Sequence, residues 1–124
     1  MPGWSPQELT AIAAPDKVQI APVRRNGQLR RPTIIWVVRA GDDVYVRAAR
    51  GANQGWHGVA RASGQARLTA AGADHDVAVQ DADPADLDAV DAAYRDKYGE
   101  RYASIVNDIN NPEKRATTLR LTPR

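Results

Sequence analysis

The stretch "TIIWVVRAGDDVYVRAAR", residues 33–50, carries two strand patterns separated by a turn. Five consecutive apolar residues at 34–38 predict a strand that is buried on both faces. "GDD" then predicts a reversal of the chain. The following residues alternate, which places Val44 and Val46 on one face of a second strand, opposite Tyr45 and Arg47. The stretch therefore predicts two strands joined by a short turn.

Three further stretches outside this pair have strand patterns. "DKVQIAPVRR" at 16–25 predicts one strand, and "ARLTAAGADHDVAVQD" at 66–81 predicts two around Gly72. "ATTLRLTPR" at 116–124 predicts a closing strand. Five to seven strands joined mostly by short turns indicate an antiparallel barrel or a strongly curved sheet, with helices at its periphery. The predicted class is therefore mainly β, of α+β type.

Two stretches have helix start signals. Ser5 and Glu8 stand at the N-cap and N3 positions of a capping box that opens a short helix. Asp83 is the predicted N-cap of a longer helix that ends near Gly99, with acidic residues near its start. The predicted apolar stripe of this second helix consists of Leu87, Val90, Tyr94 and Tyr98.

Length and composition limit the classes of function. The 124 residues favour one domain spanning 1–124, and the lack of cysteine excludes disulfides and thiolate chemistry. No apolar run is long enough to span a bilayer, so we expect a cytoplasmic protein with no membrane partner. Residues 1–62 carry nine Lys/Arg and four Asp/Glu, whereas 63–124 carry eight and eleven. An anionic ligand near the N-terminal half is favoured.

The loop after the second strand combines arginines with glycines. Gly51, Gly55 and Gly58 match neither a phosphate-binding P-loop nor a dinucleotide fingerprint. Arg47 and Arg50, together with backbone amides that glycines expose, could cradle an anion. The alternative is that the arginines are solvated and the glycines only supply turns.

The inventory of catalytic side chains is small. The three serines lack a nucleophile-elbow context, and the two histidines lack metal-ligand spacing, so no metal site is predicted. If the protein is an enzyme, a bound cofactor is expected to supply the reactive atom. "RRNGQLRR" at 24–31 is interpreted as an exposed basic hairpin, or as a collar for an acidic tail, a nucleic acid or another partner.

Taken together, "IIWVVRAGDDVYVRAARG", "AAYRDKYG" and "ATTLRLTPR" resemble a bacterial family known as domain of unknown function 2255. The resemblance covers 4–124 and depends on the order and spacing of the motifs. That family is similar to the split β-barrel flavin- and deazaflavin-binding proteins. The resemblance implies a six-stranded antiparallel split β-barrel with flanking helices. It also implies a homodimer that holds a flavin at its interface.

The resemblance also implies which residues bind the cofactor. Arg47, Arg50 and Gly51 correspond to the phosphate-binding positions, Trp56 would lie close by, and Thr33 would lie near the ring. The sequence departs from the expected pattern at Ala48, where a serine hydroxyl would contact the phosphate.

Three functional hypotheses follow. The first is an FMN- or deazaflavin-dependent oxidoreductase that transfers hydride, and the basic hairpin favours a deazaflavin with a polyglutamate tail. The second is a non-catalytic module that binds a small anion on the same fold. The third, nucleic-acid binding through the hairpin, is disfavoured because no aromatic residues are interleaved with its arginines.

Overall fold

The computed structural model describes residues 3–52 and 55–124, and a seven-stranded antiparallel sheet forms its centre. The order of the strands across the sheet is β2-β1-β5-β6-β7-β4-β3. The strands are β1 (Val18–Pro22), β2 (Thr33–Ile35), β3 (Val38–Ala40), β4 (Asp43–Val46), β5 (Gln65–Ala70), β6 (Ala73–Asp81) and β7 (Leu119–Pro123).

The connection between β2 and β3 requires the sheet to curl. These strands lie at opposite edges, yet only Trp36 and Val37 separate them in the chain. Six strand spacings would make a flat sheet about 29 Å wide. Three Cα-to-Cα steps from Ile35 to Val38 span at most about 11 Å. The sheet therefore curls into an open half-barrel, with its two edges linked through the chain.

The observed sheet differs from the expected six-stranded barrel. The sheet is open. It has seven strands because the apolar run that predicted one strand divides into β2 and β3. Trp36 lies at the division and stacks on Tyr98, with ring centres 3.9 Å apart. The apolar run predicts a buried strand. Its hydrophobic pattern does not show that the residues before and after Trp36 pair with different strands.

The helices surround the sheet. The capping box of the first helix is confirmed, since the Ser5 hydroxyl accepts from the Glu8 amide and the Glu8 carboxylate accepts from the Ser5 amide. The long predicted helix is also confirmed, and it is preceded by a 3₁₀ turn at Pro84–Asp86. The helices are α1 (Pro6–Ala13), α2 (Trp56–Ser63), α3 (Leu87–Tyr98), α4 (Ala103–Ile109) and α5 (Pro112–Arg115).

Helix α2 lies in a region where the sequence predicted only a glycine-rich loop. Its N-cap, Gly55, supplies no side-chain hydrogen bond, and Gly58 lies inside its first turn. Both features weaken the usual start signals of a helix. The helix ends at Gly64, which adopts the left-handed conformation.

Both faces of the half-barrel are covered. The larger apolar cluster lies between the sheet, α1 and α2, and it includes Val44 and Val46. The second cluster lies beneath α3 and α4, and it includes Tyr45 and Tyr94. The predicted division of β4 into two faces is thus confirmed, with both faces buried. No helix in the ranges 3–52 and 55–124 is long and apolar enough to cross a membrane.

Candidate phosphate-binding surface

Arg47 is enclosed by the protein. Its side chain follows β4 on the face that α3 covers, and the residue is 2% exposed. The guanidinium donates to Thr118 Oγ1 and Asn110 Oδ1, each at 2.8 Å, and lies 2.7 Å from a carboxylate oxygen of Asp91. It also lies over the ring of Tyr94, 5.3 Å from the ring centre. The guanidinium that the family resemblance assigned to a cofactor phosphate therefore already has partners within the protein.

Thr33 and the start of α2 are brought together by Arg30. Arg30 Nη1 lies 3.3 Å from Thr33 Oγ1 and donates a hydrogen bond to it. Arg30 Nη2 lies 3.7 Å from the position that a Cβ atom would occupy on Gly55. The Arg30 amide donates to Pro22 O, which holds the hairpin against the end of β1. The basic hairpin therefore presents one guanidinium to the first turn of α2.

The N-cap residue of α2, Gly55, has no side chain with which to cap the helix. Gly55 has φ 52° and ψ −123°, a conformation that favours glycine. The first amides of a helix have no partner within the helix and form the positive end of its dipole. Trp56, at the first helical position, packs into the larger apolar cluster and is 7% exposed. Trp56 thus anchors α2, and the amides of Trp56 and Gly58 in its first turn are a potential anion-binding group.

Arg50 and Gly51 lie at the other end of the loop that precedes α2. Arg50 is exposed, and Gly51 is buried with φ 99°. The Gly51 amide donates to Ala48 O at 3.0 Å, so the turn itself uses this amide. A Cβ atom on Gly51 would lie 3.4 Å from Glu113 Oε1. The Glu113 carboxylate makes this end of the loop less favourable for an anion than the end at Gly55.

The arginines without a carboxylate partner are concentrated in one part of the chain. Seven arginines form ion pairs with described carboxylates, including Arg61 with Asp81 and Arg67 with Asp76. Five others, from the hairpin and the loop after β4, form no ion pair with any residue in the described ranges. They are Arg24, Arg25, Arg30, Arg31 and Arg50, and Arg95 and Arg124 elsewhere in the chain also form none with the described residues.

The side chains of Ala48 and His57 do not extend this surface. Ala48 is buried, and its amide donates to Thr117 Oγ1 at 2.9 Å. His57 is buried, with Nε2 3.0 Å from Thr117 O, and burial lowers the pKa of its imidazole. Within the described residues no group of three His, Cys, Asp or Glu side chains could hold a metal ion.

The sequence-predicted site residues therefore fall into separate environments. Thr33 and the residues at the start of α2 lie together, Arg50 and Gly51 lie at the far end of the same loop, and Arg47 lies in the interior. Sequence reasoning did not assign Arg30 to the phosphate. The only signal for it was its place in the basic hairpin, which gives no indication of contact with a helix 25 residues later.

The fold and this surface define an α+β half-barrel protein in which Arg30 of a basic hairpin lies beside a helix start. The chain belongs to the DUF2255 family, described as uncharacterized protein conserved in bacteria, whose family model matches residues 8–121. This result confirms the family resemblance drawn from the sequence motifs.

A solved structure has a similar fold. It is the crystal structure of the conserved hypothetical protein Rv2991 from Mycobacterium tuberculosis, with a TM-score of 0.63 and 10% sequence identity. The alignment covers 95% of this chain and 78% of that chain. At this identity the likeness concerns the fold alone. No curated protein matches the chain.

Proposed function

We propose that the protein binds the phosphate group of FMN or of the deazaflavin coenzyme. The phosphate surface consists of Arg30 and the amides of Trp56 and Gly58 in the first turn of α2, and Arg50 adds a weaker attraction from the far end of the preceding loop. The observation that carries the proposal is the position of Arg30. Its guanidinium has no carboxylate partner among the described residues, and it lies against the start of α2, whose N-cap residue is a glycine.

The chemistry of a phosphate group suits this surface. The phosphate monoester of FMN carries roughly −1.5 to −2 charges at neutral pH and has three strong acceptor oxygens. Arginine can donate to two of these oxygens at once, and helix N-terminal amides point at anions. Arg47 is left out of the proposed surface because its described partners already satisfy its charge.

A bound flavin or deazaflavin would supply hydride-transfer chemistry. The chain would contribute the phosphate contacts and a scaffold that holds Thr33 near the ring. We further propose that a second copy of the chain covers the cofactor. Strand β2 is an edge strand, and Ile34 on it is 63% exposed, which supports a partner at this edge.

Arginine variants test the proposed surface. We expect Arg30→Gln to weaken FMN or deazaflavin binding at least about tenfold, equivalent to about 1.4 kcal/mol, because a charge-assisted contact is lost. Arg50→Gln should have a smaller effect, since Glu113 lies near that end of the loop. Isothermal titration calorimetry measures both.

The matched control is Arg67→Gln. Arg67 is partly exposed and already forms an ion pair with Asp76 across β5 and β6, so it offers no unpaired charge to a phosphate. Its replacement should leave cofactor affinity unchanged. Equal losses in Arg30→Gln and Arg67→Gln would show only a general charge effect and would refute the proposed surface.

A non-catalytic module that binds a small anion is the second candidate. The observation that favours it is the loss of two expected cofactor contacts: Ala48 has no hydroxyl, and Arg47 is buried. Inorganic phosphate distinguishes the candidates. If it binds as tightly as FMN, the ring contributes no affinity and the small-anion module is supported.

A further inference from the structure

A groove lies between the C-terminal end of α1, strand β3 and helix α3. Its volume is about 540 Å³, which is in the range of small-molecule sites. Small side chains on all three elements create this space. They are Ala13, Ala40, Ala89, Ala92 and Ala93. The groove shares no residue with the phosphate surface.

Lys97 is one of the residues that line this groove. Lys97 Nζ donates to Val37 O at 2.7 Å and lies 5.0 Å from the ring centre of Tyr98. No carboxylate in the described ranges lies within ion-pair distance of it. Burial lowers the pKa of Lys97 to about 8, against a smaller opposing effect of Asp16. A considerable fraction of the amine is therefore neutral and nucleophilic in mildly basic solution.

Arg39 also lines the groove. Arg39 on β3 donates from Nε to Gly41 O at 2.8 Å, and its Nη2 lies 3.6 Å from Asp42. Both residues are exposed, so the ion pair is weak and an anionic ligand can compete with Asp42 for the guanidinium. The charged and titratable groups around the amine are Asp16, Arg39, Asp96, Tyr98 and Arg101.

We propose that the groove binds small anionic carbonyl compounds, such as 2-oxo acids and aldehyde acids, by imine formation at Lys97. The neutral amine attacks the carbonyl carbon, a C–N bond forms, and the carbonyl oxygen takes up a proton. The resulting carbinolamine loses water to give the imine, so one amine and one carbonyl give one imine and one water. Arg39 binds the carboxylate of the ligand.

The chain allows an internal comparison, because Lys97 is one of only three lysines, with Lys17 and Lys114. The protein is incubated with glyoxylate and sodium cyanoborohydride at pH 7.5, and peptide mass spectrometry measures the reduced adduct at each lysine. We expect Lys97 to react at least about tenfold faster than the other two. Between pH 6.5 and 8 its rate should rise, because the neutral fraction of the amine increases towards its pKa of about 8. Equal or slower reaction at Lys97 would overturn the proposal.

Two variants test the groove itself. Ala92→Leu fills the space while keeping Lys97, and we expect it to suppress the adduct at Lys97 at least about fivefold. Ala62→Leu, at an exposed position of α2, is the control and should have no effect. Unchanged labelling in Ala92→Leu would show that the groove does not bind the carbonyl compound.

Arg39→Gln tests recognition of the carboxylate. We expect it to slow the reaction of Lys97 with glyoxylate and to leave the reaction with glycolaldehyde, a neutral aldehyde of similar size, unchanged. An equal effect on both aldehydes would overturn the role of Arg39 and the preference for anions. Arg39 is not part of the phosphate surface. The experiments can therefore refute imine formation without refuting cofactor binding, and the reverse.

Discussion

Arg47 connects β4 to α3 and to the segments that precede β7. Replacing it with methionine removes the partner of Asp91, whose side chain is only 15% exposed, and two hydrogen bonds with Thr118 and Asn110. We expect Arg47→Met to lower the free energy of unfolding by about 3 kcal/mol, because a buried charge loses its main partner. Arg115 remains 3.0 Å from Asp91, which limits the loss. Urea denaturation measures this change.

The control for Arg47 is an exposed ion pair. The side chains of Arg67 and Asp76 are 41% and 54% exposed, so Arg67→Met should change stability by less than about 1 kcal/mol. Similar losses in the two variants would contradict a special role for the buried arginine.

Lys97 makes stability depend on pH in a defined window. Its pKa in the folded protein is about 8, below the ordinary value of 10.5. Between these values the unfolded chain binds more protons than the folded protein, so the contribution of Lys97 to stability increases as the pH rises. We expect the wild type to gain stability relative to Lys97→Met from pH 8 to pH 10.5. If the urea midpoints of the wild type and of Lys97→Met differ by the same amount at every pH in this range, the lowered pKa of Lys97 is contradicted.

At the scale of elements, α1 begins with a complete capping box. Ser5→Ala removes the acceptor for the Glu8 amide, and we expect it to lower the free energy of unfolding by about 1 kcal/mol. Thr10→Ala in the same helix is the matched control. It removes only an exposed hydrogen bond to Pro6 O and improves helix propensity, so it should be neutral or stabilising. Equal losses in the two variants would contradict the role of the cap.

The elements that could be predicted from sequence are those with local signals. The capping box fixed the start of α1, Asp83 and the apolar stripe indicated α3, and the alternation of β4 gave the correct faces. Helix α2 was missed because Gly55 and Gly58 remove its local signals. The division of 33–38 into two edge strands depends on pairing with distant strands, which local patterns do not contain.

At the scale of the whole molecule, the site depends on which face of the half-barrel each side chain meets. Alternation placed Arg47 on the polar-looking face of β4, but α3 and α4 cover that face with Tyr94, Tyr98 and Val106. The contact of Arg30 with the start of α2 likewise arises only when the hairpin and the helix pack on the same sheet. The candidate site could therefore be predicted as a basic region of the chain, but not by its participating residues.

The most direct test of the phosphate surface is a paired titration of the protein with FMN and with riboflavin, which lacks the phosphate. Tryptophan fluorescence reports binding, because Trp56 lies at the start of α2. We expect saturable binding of FMN or, in a parallel titration, of the deazaflavin coenzyme. Riboflavin should bind at least about tenfold more weakly than FMN if FMN is the ligand, and FMN affinity should fall as salt is raised. Equal affinity for FMN and riboflavin, or no binding of either cofactor, would contradict the account.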